Sequence, residues 1–370
     1  MSDTRQQIEG ALLDWMSQRD WRRDDTRFDD LARQLFQFQF AHCPPYERFC
    51  RTRGTTPESV DSWRQIPAVP TGAFKEMPLR CFGEEQTLHT FRTSGTSLSR
   101  RGELHLDTLE IYQASLLAAI RRFLFPDLAS GQRMEIRVLA PSPQELPDSS
   151  LCHMFGCAID TFGNAESAFD VRGETLDSDS LLRACDRAIA ERRPLALCGT
   201  AFAFVHLLDE LGRRELRLKL PTGSRIMETG GFKGRSREVA RPDLYRALED
   251  RLGVPDRFIV NQYGMTELGS QFYDSVLQEP GLARHKIGPP WTRVRIIDPV
   301  SDREAEPGVL GMIVIHDLAN TGSIAAVATA DLGRRTSNGD GFEVAGRAPD
   351  AEERGCSIAA DAMLESAAPR

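Results

Sequence analysis

The stretch from Tyr263 to Glu267 places a phenol ring, a hydroxyl group and a carboxylate within five positions. It follows the apolar run at 257–261, which is typical of a buried strand, and Gly264 would allow a sharp turn at the strand's end. In open α/β sheets, nucleotides bind where the carboxyl ends of strands pass into loops. A base can stack on Tyr263, Thr266 can hydrogen-bond a phosphate, and Glu267 can hold Mg²⁺, which favours oxygen ligands. Alone, the same residues are equally compatible with a surface turn.

A second stretch, at 91–99, gathers hydroxyl groups and backbone amides around a glycine: Thr93, Ser94, Gly95 and Thr96. Such a composition is typical of an anion-binding loop, although an ordinary Ser/Thr/Gly turn has the same residues. The two stretches lie about 170 positions apart. The pair is therefore more informative than either stretch alone.

Together the two stretches resemble the adenylate-forming superfamily of acyl-CoA synthetases and luciferases. In that superfamily a Thr-Ser-Gly-Thr loop binds ATP phosphates, and a Tyr-Gly-x-Thr-Glu loop binds adenine, phosphate and magnesium. The resemblance implies ATP and Mg²⁺ as cofactors, with Glu267 as the metal ligand. It also implies an α/β fold: the adenylate-forming large domain, with parallel and mixed sheets, helices and a β subdomain. The residues implied to contact ATP in these two stretches are Thr93, Ser94, Gly95, Thr96, Tyr263, Gly264 and Thr266.

Three further elements of the superfamily occur in the expected order between about residue 60 and residue 350. Asp331 matches an aspartate that binds both ribose hydroxyls, although Ala330 replaces the usual glycine. Arg347 matches an arginine that approaches the ribose and phosphate. The run Gly230-Gly231-Phe232 falls where relatives place a glycine-rich loop against adenine.

The sequence departs from the superfamily pattern in two places. Most relatives carry a further lid domain after the Gly-Arg hinge, with a lysine that closes over the α-phosphate. Only 23 residues follow Arg347, and no lysine follows Lys286, so we expect the lid domain and its lysine to be absent. Lys233 is our candidate substitute for this cation, with a surface lysine as the alternative. The phosphate loop also continues into Arg100 and Arg101, which either serve the phosphates or lie in solvent.

These departures resemble one branch, the acyl-protein synthetase (LuxE) family. The matching segments are Phe74-Lys75, a Ser-Ser-Leu-x-His run that ends at His153, the run 228–231, and a terminal Gly-Arg followed by Arg-Gly-Cys-Ser. In that family the enzyme activates a fatty acid with ATP and passes it to its own cysteine near the C-terminus. By position that cysteine is Cys356, and the nearby arginines would favour its thiolate. A buried structural cysteine is the alternative, because the sequence shows no general base beside it.

The resulting prediction is a ligase that forms an acyl adenylate from a small-molecule carboxylic acid, a fatty acid by the resemblance, and transfers the acyl group to a thiol. Glu267, Thr266, Lys233 and Cys356 are the predicted catalytic residues. The acceptor could instead be coenzyme A or a carrier protein, and a downstream acyl-processing protein is a possible partner. A second alternative is a nucleotide-binding or scaffold protein without activity. A P-loop kinase is excluded, since no Gly-x-x-x-x-Gly-Lys loop occurs.

The elements that must position these residues can be predicted from hydrophobic periodicity. We expect a helical region at 1–60, an α/β core at 61–288 and a β subdomain with a short tail at 289–370. Within the core, apolar runs predict strands at 135–140, 194–198, 224–228 and 257–261. Helical patterns at 107–125, 180–192, 201–211 and 242–252 alternate with them, which implies a largely parallel sheet. The proline-rich stretch 66–74 is predicted to be irregular, Asp107 to cap a helix, and Gly212 to end one.

Composition excludes several classes of function. The chain has 370 residues, 41% of them hydrophobic, which suffices for a substantial core. A net charge of −8 argues against a general nucleic-acid-binding protein, which would need a basic face. No apolar run is long enough for a membrane span, and the N-terminus lacks a signal-peptide pattern. Eight cysteines without paired Cys-x-x-Cys spacing indicate reduced thiols, so we expect a cytoplasmic protein.

Overall fold

The computed structural model describes residues 3–94, 100–173, 175–230, 239–337 and 341–348. The chain forms two compact units. Unit 1 consists of Met1–Ala118, Gly264–Gln271 and His285–Arg370, and unit 2 of Ala119–Tyr263 and Phe272–Arg284. Across the described ranges, every helix is too short or too polar to cross a bilayer.

The described helices are α1 (Asp3–Ser17), α2 (Asp25–His42), α3 (Pro44–Thr52), α4 (Ala73–Glu76), α5 (Glu110–Phe123), α6 (Ser150–Phe162), α7 (Ser178–Glu191), α8 (Ala201–Arg213) and α9 (Arg241–Leu252). The described strands are β1 (Val69–Pro70), β2 (His89–Arg92), β3 (Glu103–Leu106), β4 (Glu135–Leu139), β5 (Ala168–Phe169), β6 (Val171–Arg172), β7 (Thr175–Leu176), β8 (Leu195–Thr200), β9 (Arg225–Thr229), β10 (Ile259–Tyr263), β11 (Phe272–Asp274), β12 (Lys286–Ile287), β13 (Thr292–Asp298), β14 (Arg303–Glu304), β15 (Gly311–Asp317), β16 (Ala326–Arg335) and β17 (Phe342–Arg347).

Unit 1 contains an antiparallel sheet in the order β14-β13-β15-β16-β17-β12. The short strand β1 pairs with β16 in the parallel direction. Strands β2 and β3 form a separate hairpin, whose connecting residues are the loop predicted to bind phosphate. The all-β character predicted beyond Pro289 is therefore observed for β13 to β17.

In the N-terminal region of unit 1, a capping residue and a stripe of buried phenylalanines both favour helix α2. The side chain of Asp24 caps α2 by accepting a hydrogen bond from the backbone N–H of Arg27 at 2.9 Å. The phenylalanines of α2, whose spacing fits either a strand or a helix, are helical and buried: Phe28, Phe36, Phe38 and Phe40. Burying each such ring contributes about 1.5–3 kcal/mol, so this stripe is a large part of the core of unit 1.

Two local predictions for unit 1 are wrong. The stretch 66–74 is not irregular, because β1 pairs with β16 and is followed by the first residues of α4. Asp107 does not cap α5; Thr108 Oγ1 accepts the hydrogen bond from the backbone N–H of Glu110 at 3.1 Å. Asp107 instead accepts two hydrogen bonds from the guanidinium of Arg5, at 2.6 and 2.8 Å. A long-range ion pair has overridden the local capping pattern.

Unit 2 is built on the strands β11-β10-β9-β8-β4-β5. From β10 to β5 every pair is parallel, and β11 is antiparallel to β10. Helices α7, α8 and α9 cover the sheet with apolar side chains, among them Leu181, Phe204 and Leu248. These side chains surround the central strand residues Leu197 and Ile226, so the crossover architecture predicted from sequence is observed.

Element ends in unit 2 differ from prediction by a few residues. Helix α8 continues through Gly212 to Arg213, so Gly212 does not end it. Helix α9 does end before Gly253, whose φ of 69° is the left-handed conformation that glycine adopts at helix ends. Strand β10 begins at Ile259, and Tyr263 is its last residue.

Candidate active site

The β2–β3 hairpin is closed by hydrogen bonds between Thr93 and Gly102. The backbone N–H of Thr93 donates to the Gly102 carbonyl at 2.9 Å, and Gly102 N–H donates to Thr93 Oγ1 at 2.8 Å. The side chain of Arg101 folds back and donates from Nε to the Thr93 carbonyl at 2.6 Å. Arg101 therefore stabilises the base of the hairpin loop, where Thr93 and Gly102 pair. Arg100 is exposed and lies near Glu76.

Gly102 is also the point where Glu267 and Lys75 approach the hairpin. A Cβ atom on Gly102 would lie 3.1 Å from Thr93 Cγ2, 3.5 Å from Glu267 Oε1 and 3.6 Å from Lys75 Cγ. A side chain at this position would press on the methyl group of Thr93 and would make ordinary contacts with Glu267 and Lys75. The carboxylate of Glu267 therefore lies beside Gly102, at the base of the predicted phosphate loop.

The turn that carries Thr266 and Glu267 is buried and is fixed by side chains from the end of β15 and from the segment that follows it. Glu267 is 6% exposed, and its carbonyl accepts a hydrogen bond from Asn320 Nδ2 at 2.7 Å. Asp317 accepts from the backbone N–H and the hydroxyl of Ser270, both at 2.7 Å. The tight turn lies at Thr266–Glu267, with Leu268 N–H donating to the Met265 carbonyl, and so comes after the glycine predicted to make it.

Asp317 is a fully buried carboxylate. Burial raises its pKa to about 6, although hydrogen bonds from Ser270 and from the backbone N–H of Ala319 favour the charged form. At neutral pH the ionised group accepts these hydrogen bonds, which are stronger than those to a neutral acceptor. Asp317 therefore anchors the loop that presents Glu267.

Asp331 and Arg347 lie directly opposite each other in the register of β16 and β17. The backbone N–H of Asp331 donates a hydrogen bond to Thr329 Oγ1 at 3.1 Å, which fixes the backbone within β16 at this position. Gly346, just before Arg347, has a φ of +139°, a conformation that side-chain-bearing residues rarely adopt. The half-buried carboxylate and the exposed arginine thus occupy one site on adjacent strands of unit 1.

In unit 2, two of the residues predicted to contact adenine, Gly230 and Tyr263, lie at the carboxyl edge of the parallel sheet. The register places Thr200 beside Thr229 and Thr229 beside Gln262, so the ends of β8, β9 and β10 are level. Thr229 Oγ1 hydrogen-bonds the side chain of Gln262 and its carbonyl. Gly230 follows with a φ of 77°, and the half-buried ring of Tyr263 ends β10.

A buried polar network lies behind this edge. Glu228 is 1% exposed, and its Oε1 accepts hydrogen bonds from Tyr245 Oη and Asn261 Nδ2, both at 2.7 Å. The backbone N–H of Asn261 donates to Asp274, which also pairs with Arg284. Burial, followed by the charge of Glu228, raises the pKa of Tyr245, so this phenol stays a hydrogen-bond donor. The network fixes β9 and β10 relative to each other.

The structure thus places the predicted residues in two groups. In unit 1, Thr93 and Glu267 meet at Gly102, and Asp331 and Arg347 share one pair of strands. In unit 2, Gly230 and Tyr263 lie at the carboxyl edge. The predicted residues Gly95, Thr96, Gly231, Phe232, Lys233 and Cys356 lie outside the described residues, and their assigned roles stay predictions.

Sequence reasoning missed four residues that matter to this geometry: Lys75, Gly102, Asp317 and Asn320. Lys75 carried a signal, because it is one of only four lysines in a chain whose other basic residues are arginines. Asp317 and Asn320 carried none, since their partners Ser270 and Glu267 lie about 50 positions earlier in the chain.

The donor set in unit 1 fits a Mg²⁺–nucleotide complex. Among the described residues, no three His, Cys, Asp or Glu side chains form a cluster that could hold a metal ion on its own. Mg²⁺, however, keeps several waters and is commonly held by one or two carboxylates together with substrate phosphates. Glu267 can supply the carboxylate, and its Oε1 approaches the Thr93–Gly102 pair at the base of the predicted phosphate loop.

Comparisons with known proteins identify the family that this chain resembles. The family profile described as "Acyl-protein synthetase, LuxE" matches residues 21–365. Two curated proteins named long-chain-fatty-acid–luciferin-component ligase, from Aliivibrio fischeri and Vibrio harveyi, are each 22% identical over 310 residues. That match covers 82% of this chain and 78% of each relative.

Among solved structures, the chain resembles 2-hydroxyisobutyryl-CoA ligase in complex with 2-HIB-AMP, with a TM-score of 0.65 and 15% identity. The match covers 88% of this chain and 68% of that ligase. At this identity the similarity concerns the fold alone. It confirms the α/β architecture of the adenylate-forming large domain that the sequence predicted.

Proposed function

Because the chain belongs to the acyl-protein synthetase (LuxE) family and is an acyl-adenylate-forming ligase, we propose that it activates a long-chain fatty acid with Mg·ATP and passes the acyl group to a thiol. The observation that carries this proposal is the meeting of Thr93, Glu267 and Lys75 at Gly102 in unit 1. Hydroxyl, carboxylate and ammonium are the groups that bind a magnesium-bound phosphate chain.

Each of these residues has a distinct task in the first step. Thr93 binds a phosphate oxygen, and Glu267 would hold magnesium, which supplies positive charge to the phosphates when bound. Lys75, whose side-chain stem approaches Gly102 as Glu267 does, supplies a further positive charge for the pyrophosphate as it leaves. We keep Lys233 as a further candidate for the cation at the α-phosphate.

The reaction needs little proton transfer. A fatty acid is ionised at neutral pH, so one of its carboxylate oxygens can attack the α-phosphorus directly. The new O–P bond forms as the bond to pyrophosphate breaks, and positioning with charge neutralisation lowers the barrier. We assign to Asp331 the hydrogen bonds with the ribose hydroxyls; Arg347 is opposite it in the register of β16 and β17. Tyr263 and the loop that begins at Gly230 are the proposed adenine contacts.

In the second step the acyl carbon forms a thioester and AMP leaves. The Arg-Gly-Cys-Ser motif supports Cys356 as the acceptor. Coenzyme A or a carrier-protein pantetheine is the alternative acceptor. A Cys356→Ala variant separates the two. If Cys356 is the acceptor, the variant keeps adenylation and loses the acyl group that mass spectrometry finds on the Cys356 peptide of the wild type; if the acceptor is external, acyl transfer to coenzyme A or pantetheine is unchanged.

Exchange of radiolabelled pyrophosphate into ATP tests the first step. We expect exchange that depends on both magnesium and a fatty acid, with a rate that peaks at one range of chain lengths. A panel from short to long saturated acids, with an aromatic acid for comparison, would define the substrate class. Nucleotide binding without exchange for every acid in the panel would contradict the proposal and favour a non-catalytic nucleotide-binding protein.

A further inference from the structure

His153 and Cys157 form a thiol–imidazole pair on one face of α6. Cys157 Sγ lies 3.5 Å from His153 Nε2, and the two residues are separated by one helical turn. In the sequence, His153 ends the Ser-Ser-Leu-x-His run. In the structure both residues are half-buried. Among the described cysteines, Cys157 alone is not fully buried; the others are Cys43, Cys50, Cys81, Cys152, Cys185 and Cys198.

Helix α6 holds this pair rigidly. Ser149 Oγ caps the helix by accepting a hydrogen bond from Cys152 N–H at 3.2 Å. On the opposite side, Met154 Sδ accepts a hydrogen bond from Tyr273 Oη at 3.9 Å. A Cβ atom on Gly156 would lie only 2.8 Å from Pro143, so the loop before α6 packs closely against the helix. Catalytic groups on a helix with fixed neighbours keep their geometry better than groups on a loop.

The pair lies near the edge of unit 2 that carries the proposed adenine contacts. Helix α6 follows β4, and the chain after it returns to form a bridge between Gly163 and Met134, just before β4. The helix therefore runs antiparallel to β4, with its first turns at the carboxyl edge of the sheet. Tyr273, which contacts Met154, pairs with Gln262 beside the end of β10. His153 thus lies on the same edge as Gly230 and Tyr263.

We propose that Cys157 is a second acyl-accepting nucleophile of this protein, with His153 as its general base and an activated acyl ester as its substrate class. For an acyl adenylate, the proposal rests on the function proposed above. The Cys157 S–H proton passes to His153 Nε2, and the Sγ–C bond forms at the acyl carbon. The bond between that carbon and the phosphate oxygen breaks, and AMP leaves with the electron pair.

The environment of the thiol explains why a base is needed. Burial raises the pKa of Cys157 to about 11, and the charge of Asp160 acts in the same direction. A thiol of this pKa is almost entirely protonated at neutral pH. It can attack efficiently only if a neighbouring group accepts its proton during the reaction, which is the position His153 occupies.

The test uses p-nitrophenyl acetate, an activated ester that needs no adenylation. The full-length protein should release one equivalent of p-nitrophenolate in a burst, and peptide mass spectrometry should locate a hydroxylamine-labile acetyl group on Cys157. Cys157→Ser should abolish the labelling of this peptide. His153→Gln should slow it by about a hundred-fold, within the range for loss of a general base. Cys152→Ser, which alters the neighbouring buried thiol, is the matched control and should label as the wild type does.

Acetyl groups found only on other residues, or a rate unchanged in His153→Gln, would overturn the proposal. Circular dichroism and thermal melting of each variant identify one that fails to fold, and the conservative Cys157→Ala then repeats the test. Pyrophosphate exchange on the same wild-type preparation tests the function proposed above by itself. Exchange without acetylation of Cys157 would contradict only the role proposed for Cys157 and His153. Acetylation without exchange would contradict only the adenylation proposal.

Discussion

At the scale of single residues, Glu267 is the predicted ligand of magnesium. Its side chain lies in a buried turn, and its Oε1 would lie 3.5 Å from a Cβ atom at Gly102. Among the described residues, no three His, Cys, Asp or Glu side chains form a group that could hold a metal ion alone. As a ligand, Glu267 would therefore act together with water and the phosphate oxygens of the nucleotide.

Replacing Glu267 by Gln should reduce pyrophosphate exchange by about a hundred-fold or more, because the amide keeps the shape but removes the charge that holds the metal. The half-saturating magnesium concentration should rise in parallel. Glu249→Gln, an exposed substitution on α9, is the control and should leave both quantities unchanged. Wild-type exchange in Glu267→Gln at low magnesium would contradict the assignment.

At the scale of elements, the active turn depends on the segment that follows β15. Asn320 Nδ2 donates both to the Glu267 carbonyl at 2.7 Å and to the Ile324 carbonyl at 3.2 Å. Its own backbone carbonyl accepts from Gln39 Nε2 of α2 at 2.8 Å. Asn320 therefore joins a helix, the end of a strand and the turn of Glu267 within unit 1. It is a positioning residue, since it contacts the backbone of Glu267 and not its carboxylate.

Asn320→Leu should leave two buried carbonyls without their donor and destabilise the protein by about 1–3 kcal/mol. If Asn320 positions Glu267, the variant should also need more magnesium for half-maximal exchange at a temperature where it is fully folded. Asn164→Leu removes a hydrogen-bonding side chain from a turn of unit 2 and serves as the control. Urea unfolding and magnesium titration check the prediction. A stability loss with an unchanged magnesium requirement would show a merely structural role.

The sequence predicted the parallel strands of unit 2 from their apolar residues, which are continuous at 195–198 and interrupted by charged residues at 135–139. The resemblance pointed to Thr93 and Glu267, which both approach Gly102 in the structure, and their roles stay predictions. The sequence could not predict that β1 pairs with β16 or that Arg5 takes Asp107 away from α5, because both depend on partners more than 100 positions away. Hydrophobic periodicity carries no information about such long-range contacts. The residues that position the candidate site were therefore harder to predict than the residues that form it.

At the scale of the whole molecule, two adjacent buried residues of β15 respond oppositely to pH. Burial lowers the pKa of His316 to about 3, with a smaller effect from Arg295 and Arg64. Its Nε2 has no hydrogen-bond partner among the described residues, and its ring packs edge-on against Trp63. Burial raises the pKa of Asp317 to about 6. Burial therefore favours the neutral form of both side chains. His316 becomes charged as pH falls, whereas Asp317 becomes charged as pH rises.

The sign of each effect follows from linkage. His316 has a lower pKa in the folded state than the unfolded value of about 6.5, so its contribution to stability is present above that pH and is lost as pH falls toward 3. Asp317 has a higher pKa than the unfolded value of about 3.9, so its contribution is present below that pH and is lost as pH rises through 6. Between pH 4 and 6 the two dependences oppose each other.

His316→Leu should therefore change the slope of stability against pH and not only its level. The leucine cannot bind a proton, so acidification from pH 6.5 toward 4 should no longer carry the cost of charging a buried imidazole. The free energy of unfolding of the variant minus that of the wild type should increase steadily over this interval, because the Asp317 contribution is common to both. Urea unfolding at four pH values between 4 and 7 measures this difference. A difference that stays constant with pH would mean that His316 charges as readily in the folded protein as in the unfolded chain, and the buried, neutral state assigned to it would be wrong.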